Sequence, residues 1–219
     1  MNTDKFLQAW RTGQLCLHPT DTIPGVSFHP EIPDALQALY RFKQRPENKP
    51  VISLIADLSQ ASCWWSPLTA RESLFLSKIW PSAVSVIRKA SEKAPPLLLS
   101  ERGELALRFP DWPETLYWMR DILQQINSPF PTSSVNISGE APAITWEDAK
   151  KAVRNSNVFI PELISCDAPS GNKQPSTVIR LYQDSSSPEI LRAGAVDQNT
   201  ILRLWEESSF DTNQSKKRI

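Results

Sequence analysis

Two spacings of apolar residues alternate along this chain, one suited to helices and one to strands. Over 3–12, Phe6, Leu7 and Trp10 fall on one helical stripe, Thr3 can cap its start, and Gly13 stands where a C-terminal glycine belongs. The short apolar run 15–17 then predicts a strand. Pro33 suits the first turn of a second helix, which carries Leu36, Leu39 and Tyr40 to about Lys43, and 51–55 reads as a buried strand. Helical spacing predicts further helices at 68–79, 113–126, 145–154 and 197–206, with Thr145 and Asp148 forming a loose capping-box pattern. Strands are expected at 83–88, 104–109, 130–135, 157–160, 176–182 and 188–192. The two kinds of element mix without an internal repeat. This predicts an α/β protein, a single domain over 1–206 with a twisted mixed β-sheet flanked by helices. Residues 207–219 are expected to form a disordered tail, since TNQSKKRI carries no apolar periodicity.

Composition narrows what such a domain can do. The chain has 219 residues, 40% hydrophobic and 22% charged, enough to bury a full core. Lys plus Arg and Asp plus Glu are both 24, so there is no global positive field to hold nucleic acid by phosphate neutralisation. Contact with RNA would have to be local or made through a partner. Cys16, Cys63 and Cys166 are odd in number and far apart, with no C-x-x-C spacing, which argues against a disulfide framework and a zinc site. No apolar run approaches the roughly 18 residues needed to span a bilayer, and MNTDKFLQAWRTG has no secretory h-region. These features predict a cytoplasmic protein with no membrane association.

Four separated segments carry the candidate chemistry: PTDTIPG (19–25), KQRPENKP (43–50), TSSVNISG (132–139), and PSTVIRL with ILRAG (175–181, 190–194). They place Thr20, Asp21, Thr22, Lys43, Arg45, Ser134, Asn136, Ser176 and Arg192 in loops or at element ends, where a rigid scaffold presents side chains to a ligand. Three of only six glycines, Gly25, Gly139 and Gly194, lie in these segments. Glycine permits close approach or positive φ, although ordinary turns use it equally. The chain has no G-x-x-x-x-G-K-[ST] and no G-x-G-x-x-G, so phosphate holding would fall to side chains. Lys43, Arg45 and Lys49 can supply it, in a loop limited by Pro46 and Pro50, although cations at a helix C-terminus also stabilise the macrodipole by ~0.3–1 kcal/mol. TSSVNISG gathers the hydroxyls of Thr132, Ser133 and Ser134 and the carboxamide of Asn136 before a glycine, a lining for a polar ligand and also a common turn composition. His18 and His29 sit in no triad motif and read as packing or turn residues. The scattered tryptophans, Trp64, Trp65 and Trp80 among them, suit packing better than a base-stacking platform.

Taken in order, the four segments resemble the YrdC/Sua5 family of threonylcarbamoyl-AMP synthases, over about residues 10–196. The resemblance implies an L-threonylcarbamoyladenylate synthase, a nucleotidyltransferase that makes threonylcarbamoyl-AMP and pyrophosphate from L-threonine, bicarbonate and ATP, with Mg2+ entering on the ATP and no metal site of its own. It implies a role in the threonylcarbamoyl modification of adenosine in tRNA, with other tRNA-modification proteins completing the transfer and direct tRNA binding weak or indirect. Lys43 and Arg45 would be the catalytic phosphate-holding pair. Thr22, Arg108, Thr132 and Ser176 would contact threonine, and Ser134, Asn136 and Arg192, with Lys43 and Arg45, the nucleotide. This chain departs from the family pattern at Val135, where alanine is usual, at Pro24, where many relatives carry tyrosine, and at Ser53-Leu54, where a substrate-side histidine has no counterpart. The rival expectations are a paralogue of the same fold with a changed or lost amino-acid substrate, and an RNA-binding module.

Overall fold

Eight strands pair in the order β1-β2-β6-β3-β5-β4-β7-β8. They are β1 (Cys16–His18), β2 (Gly25–Ser27), β3 (Ile52–Leu54), β4 (Val84–Lys89), β5 (Glu104–Arg108), β6 (Phe130–Ser134), β7 (Thr177–Arg180) and β8 (Glu189–Arg192). The sheet is mixed: β3 with β5 and β4 with β7 run parallel, and the other neighbours are antiparallel. This computed structural model describes residues 3–44, 51–156, 158, 160, 174–183 and 187–216.

The helices are α1 (Thr3–Arg11), α2 (Pro33–Lys43), α3 (Leu58–Trp64), α4 (Ala70–Ile79), α5 (Tyr117–Ile126), α6 (Trp146–Arg154) and α7 (Gln198–Lys216), with short 3-10 turns at Pro96–Leu98 and Glu114–Leu116. Their ends follow local chemistry. Gly13 takes φ +84° after α1, as its position predicts, and Pro33 opens α2. Thr69 and Glu72 close a reciprocal capping box on α4, and Thr145 Oγ1 accepts from the backbone N–H of Asp148 on α6. Expected over 197–206, the last helix runs to Lys216, and the buried Ser208 bonds back to the Leu204 carbonyl at 2.7 Å. The helix expected over 113–126 begins as a 3-10 turn, Glu114–Leu116, before α5. Two elements were not expected, β2 and α3. The strand expected over 157–160 falls partly outside the described residues.

Residues directly opposed in a sheet share a face, and alternate residues of a strand take opposite faces. The register therefore gathers His18, Gly25, Ile52, Arg108, Thr132, Ser134 and Ser85 on one face. At one end of this face α1 packs Phe6 and Trp10 against Phe130. Arg88 lies on the other face, where Glu72 of α4 holds it and α7 packs on α4 through Trp205 against Phe75. Trp65 and Trp80 stack at 5.8 Å inside the core, with both indole N–H groups bonded to backbone carbonyls, so the packing expectation holds for this pair.

Candidate active site

The part of the polar face that α1 leaves uncovered opens into a cleft of about 440 Å³. Its walls include Thr20, Thr22, Lys43, Arg108, Thr132, Ser134, Asn136, Ser176 and Arg192, together with Pro24, Gly25 and Gly139. All four sequence segments thus meet at one cavity, and every described candidate residue except Asp21 lines it. Arg45, with Lys49 and the rest of 45–50, lies outside the described residues.

Lys43 ends α2 almost fully buried, 3% exposed. Its ammonium donates to the Ser134 carbonyl at 2.6 Å, the Asn136 carbonyl at 3.1 Å and Asn136 Oδ1 at 2.8 Å. The Lys43 carbonyl in turn accepts from the Ser138 N–H at 2.8 Å. The Ser134 hydroxyl donates to Asn136 Oδ1 at 2.6 Å, and Asn136 Nδ2 donates to the Ile137 and Glu140 carbonyls. A lysine at the end of α2 therefore shapes the loop after β6 while placing a positive charge in the cleft wall. Val135 is 1% exposed and belongs to the core, so its extra bulk does not enter this cleft.

At the opposite wall Arg108, at the end of β5, donates from Nη1 to Thr22 Oγ1 at 2.9 Å and pairs through Nη2 with Asp21 Oδ1 at 3.1 Å. Asp21 Oδ2 also accepts from the Asp111 N–H at 3.2 Å. Burial raises the Asp21 carboxyl above its usual range, while the Arg108 charge opposes the shift. Asp21 does not line the cleft; it anchors the arginine that does. Arg108 Nε is buried with no hydrogen-bond partner among the described residues, which leaves this guanidinium with donor capacity.

A third cluster joins β7, β8 and β4. Arg192 donates to the Ser176 carbonyl from Nη2 at 2.7 Å and from Nε at 3.2 Å, and Ser176 Oγ lies 2.8 Å from Ser85 Oγ. Gly194 packs so closely on this strand that a Cβ would strike the Pro175 carbonyl and the backbone of Ser176 and Thr177.

Sequence reasoning missed Ser85 and the use of His18. The His18 ring is fully buried behind Thr132, with Nε2 at 2.8 Å from Thr132 Oγ1 and Nδ1 at 3.0 Å from the Pro19 carbonyl. Desolvation lowers its pKa to about 4, reinforced by the Arg108 charge and opposed by the bond to Pro19. The available signal was position: a histidine in an apolar strand directly before a polar loop. His29 is a packing residue, its ring 4.4 Å from that of Trp10. Ser53 and Leu54, where the resemblance leads one to expect a histidine, are buried and do not line the cleft.

The fold has known counterparts. Sua5 from P. abyssi, solved with L-threonine, superposes with a TM-score of 0.75 at 21% identity, over 93% of this chain and 58% of that one. E. coli YciO superposes at 0.72 with 20% identity, over 91% and 92% of the two chains. This chain thus spans little more than half the length of Sua5 and nearly all of YciO. In sequence, proteins named threonylcarbamoyl-AMP synthase from Vibrio campbellii and Chromohalobacter salexigens are 27% and 30% identical, over 88% and 84% of this chain and 99% and 92% of theirs. The Sua5/YciO/YrdC family model, described as "Telomere recombination", matches residues 8–194. The chain belongs to that family.

Proposed function

We propose that this protein is an L-threonylcarbamoyladenylate synthase of the family's short form, a cytoplasmic enzyme. The observation that carries the reading is the meeting of the four segments at one cleft, with Arg108 and Thr22 on one wall and Lys43, Ser134 and Asn136 on the other. The threonine carboxylate is assigned to the guanidinium of Arg108, which lines the cleft, with Thr22, Thr132 and Ser176 around the rest of the amino acid. The nucleotide is assigned to Ser134, Asn136 and Arg192, with Lys43 as a fixed positive charge and Arg45 as the direct grip on phosphate.

Threonine's amine adds to CO2 from bicarbonate and loses a proton, giving a carbamate. A carbamate oxygen then attacks the α-phosphorus of ATP, and pyrophosphate leaves. The protein contributes mainly position and fixed charge. Among the described residues no group of three or more His, Cys, Asp or Glu could hold a metal, and Glu140 is the one carboxylate among the described lining residues. Mg2+ is therefore assigned to the phosphates of ATP, which it binds with few protein ligands. Transfer of the threonylcarbamoyl group to tRNA is assigned to other tRNA-modification proteins.

With ATP and Mg2+, purified protein is expected to release pyrophosphate only when L-threonine and bicarbonate are both present. Equal release without threonine, or none with every substrate, overturns the synthase reading. A second reading, a paralogue using another amino acid, is favoured by Pro24, which lines the cleft where many relatives carry tyrosine. Pyrophosphate release that needs bicarbonate and a different amino acid would establish it.

A further inference from the structure

Hydrogen-bond accounting fixes the polarity of the amino-acid wall. A hydroxyl has one proton to give and two lone pairs, and a carbonyl can only accept. His18 Nδ1 lies 3.0 Å from the Pro19 carbonyl, so that nitrogen carries the ring proton. Burial keeps the ring neutral, which leaves Nε2 as a bare acceptor 2.8 Å from Thr132 Oγ1. Thr132 must donate its proton there. Gly25 keeps the contact short, since a Cβ at that position would collide with both Thr132 Oγ1 and His18 Nε2.

The same logic applies at Thr22. Thr20 Oγ1 spends its proton on the Ile23 carbonyl at 2.7 Å and accepts from the Thr22 N–H at 3.0 Å. In the 3.0 Å contact between the two hydroxyls, Thr22 is therefore the donor and Thr20 the acceptor. Thr22 Oγ1 also accepts from Arg108 Nη1, which leaves it one lone pair. The three threonines that line the cleft, Thr20, Thr22 and Thr132, thus have no proton left for a ligand.

We propose that Thr22 and Thr132 are fixed hydrogen-bond acceptors, set by Thr20 and His18, and that they select a ligand bringing N–H donors, a primary amine, over one bringing a carbonyl oxygen. His18 is thus a positioning residue for specificity. This rests on the reading of the cleft as an amino-acid site. An amine offers N–H donors to such oxygens, whereas a keto oxygen in its place faces lone pairs and leaves buried acceptors unmatched.

The test compares L-threonine, L-2-aminobutanoate and 2-oxobutanoate by calorimetric titration in the presence of a non-hydrolysable ATP analogue. The amino acid is expected to bind tighter than its oxo counterpart by roughly 10²-fold or more. Equal binding of the two overturns the inference while leaving an amino-acid site in place; no binding even of L-threonine overturns the functional reading beneath it. In ¹⁵N NMR at neutral pH, His18 is expected to show a protonated Nδ1 and an unprotonated Nε2, and the reverse tautomer contradicts the relay. In His18→Leu the Thr132 hydroxyl is free to donate, so the preference for the amine is expected to fall by about tenfold, the scale of one hydrogen bond. An unchanged preference in a variant with native circular dichroism rules His18 out. Should that variant not fold, the wild-type tautomer and binding ratio decide.

Discussion

The sheet carries two buried arginine–carboxylate pairs, one on each face, and they differ in how completely they are satisfied. Arg88 on β4 meets Glu72 through Nε at 2.7 Å and Nη2 at 2.9 Å, and its remaining donors reach the Ser66 and Pro67 carbonyls. Glu72 also accepts from the Thr69 N–H at 2.7 Å. Each group there has its partners, and the cluster ties the start of α4 to the sheet. Arg108 on β5 meets Asp21 through one nitrogen and Thr22 through another, and its Nε has no hydrogen-bond partner among the described residues. Arg88 lies away from the cleft and Arg108 lines it. A buried polar group left short of partners costs free energy, and a guanidinium in a cleft wall keeps Nη donors that a ligand can meet.

This contrast is broken first at Glu72. Glu72→Ala strands the Arg88 charge in the core, so urea unfolding is expected to show a loss of about 3–5 kcal/mol, with threonine affinity unchanged in the folded protein. Lost affinity in a folded variant would dissolve the division of labour. Arg108→Met is expected to show the opposite profile. Turnover in pyrophosphate release should fall about 10²–10³-fold, or ~2.7–4 kcal/mol. The stability loss should be smaller than for Glu72→Ala, because burial already favours the protonated form of Asp21 and the carboxyl can take up a proton when its partner goes. Unfolding of this variant with no kinetic defect in the folded fraction would make Arg108 structural.

His18 gives the cleft side a signature in pH. The unfolded chain binds a proton at this residue near pH 6.5, whereas the folded state refuses it until about pH 4. Stability from this group is therefore complete above pH 6.5 and is lost as the pH falls through that window, about 3 kcal/mol in all. The difference in unfolding free energy between wild type and His18→Leu should follow that curve, and a flat difference would show that the ring is not held neutral. The smallest effect is expected at Pro24. Pro24→Tyr adds a ring to the same cavity and is expected to lower the Michaelis constant for threonine by roughly 10–200-fold, or ~1–3 kcal/mol, while ATP binding is little changed. Weaker nucleotide binding instead would show that the proline sets the loop.

What could be read from the sequence was local. Pro33, Thr145 and Gly13 mark helix ends through chemistry within one turn, and those ends are where they were expected. The strand β2 is only Gly25–Ser27, a glycine inside a turn-like run, and it becomes a strand through its pairing with β1 on one side and β6 on the other. Helix α3 was missed although Asp57 caps it, because LSQASCW has too little apolar periodicity. The members of the site were legible in the four segments, and most of their bonds were not. Lys43 and Asn136 are 93 residues apart, and Arg108 and Thr22 are 86 apart. Such pairings follow from register, which no local pattern encodes. The sequence likewise suggests Lys43 only as a phosphate-holding cation and gives no sign that its ammonium bonds the loop after β6.

The central claim is that this cleft joins threonine, bicarbonate and ATP into one adenylate, and the product itself tests it most directly. Mass spectrometry of rapidly quenched reactions containing L-threonine, Mg2+ and ATP, with ¹³C-bicarbonate or unlabelled bicarbonate, should reveal threonylcarbamoyl-AMP. The species is expected to be heavier by one mass unit with the labelled reagent and to be absent when threonine is omitted. ATP consumed to AMP or ADP with no labelled adenylate of that mass would contradict the account.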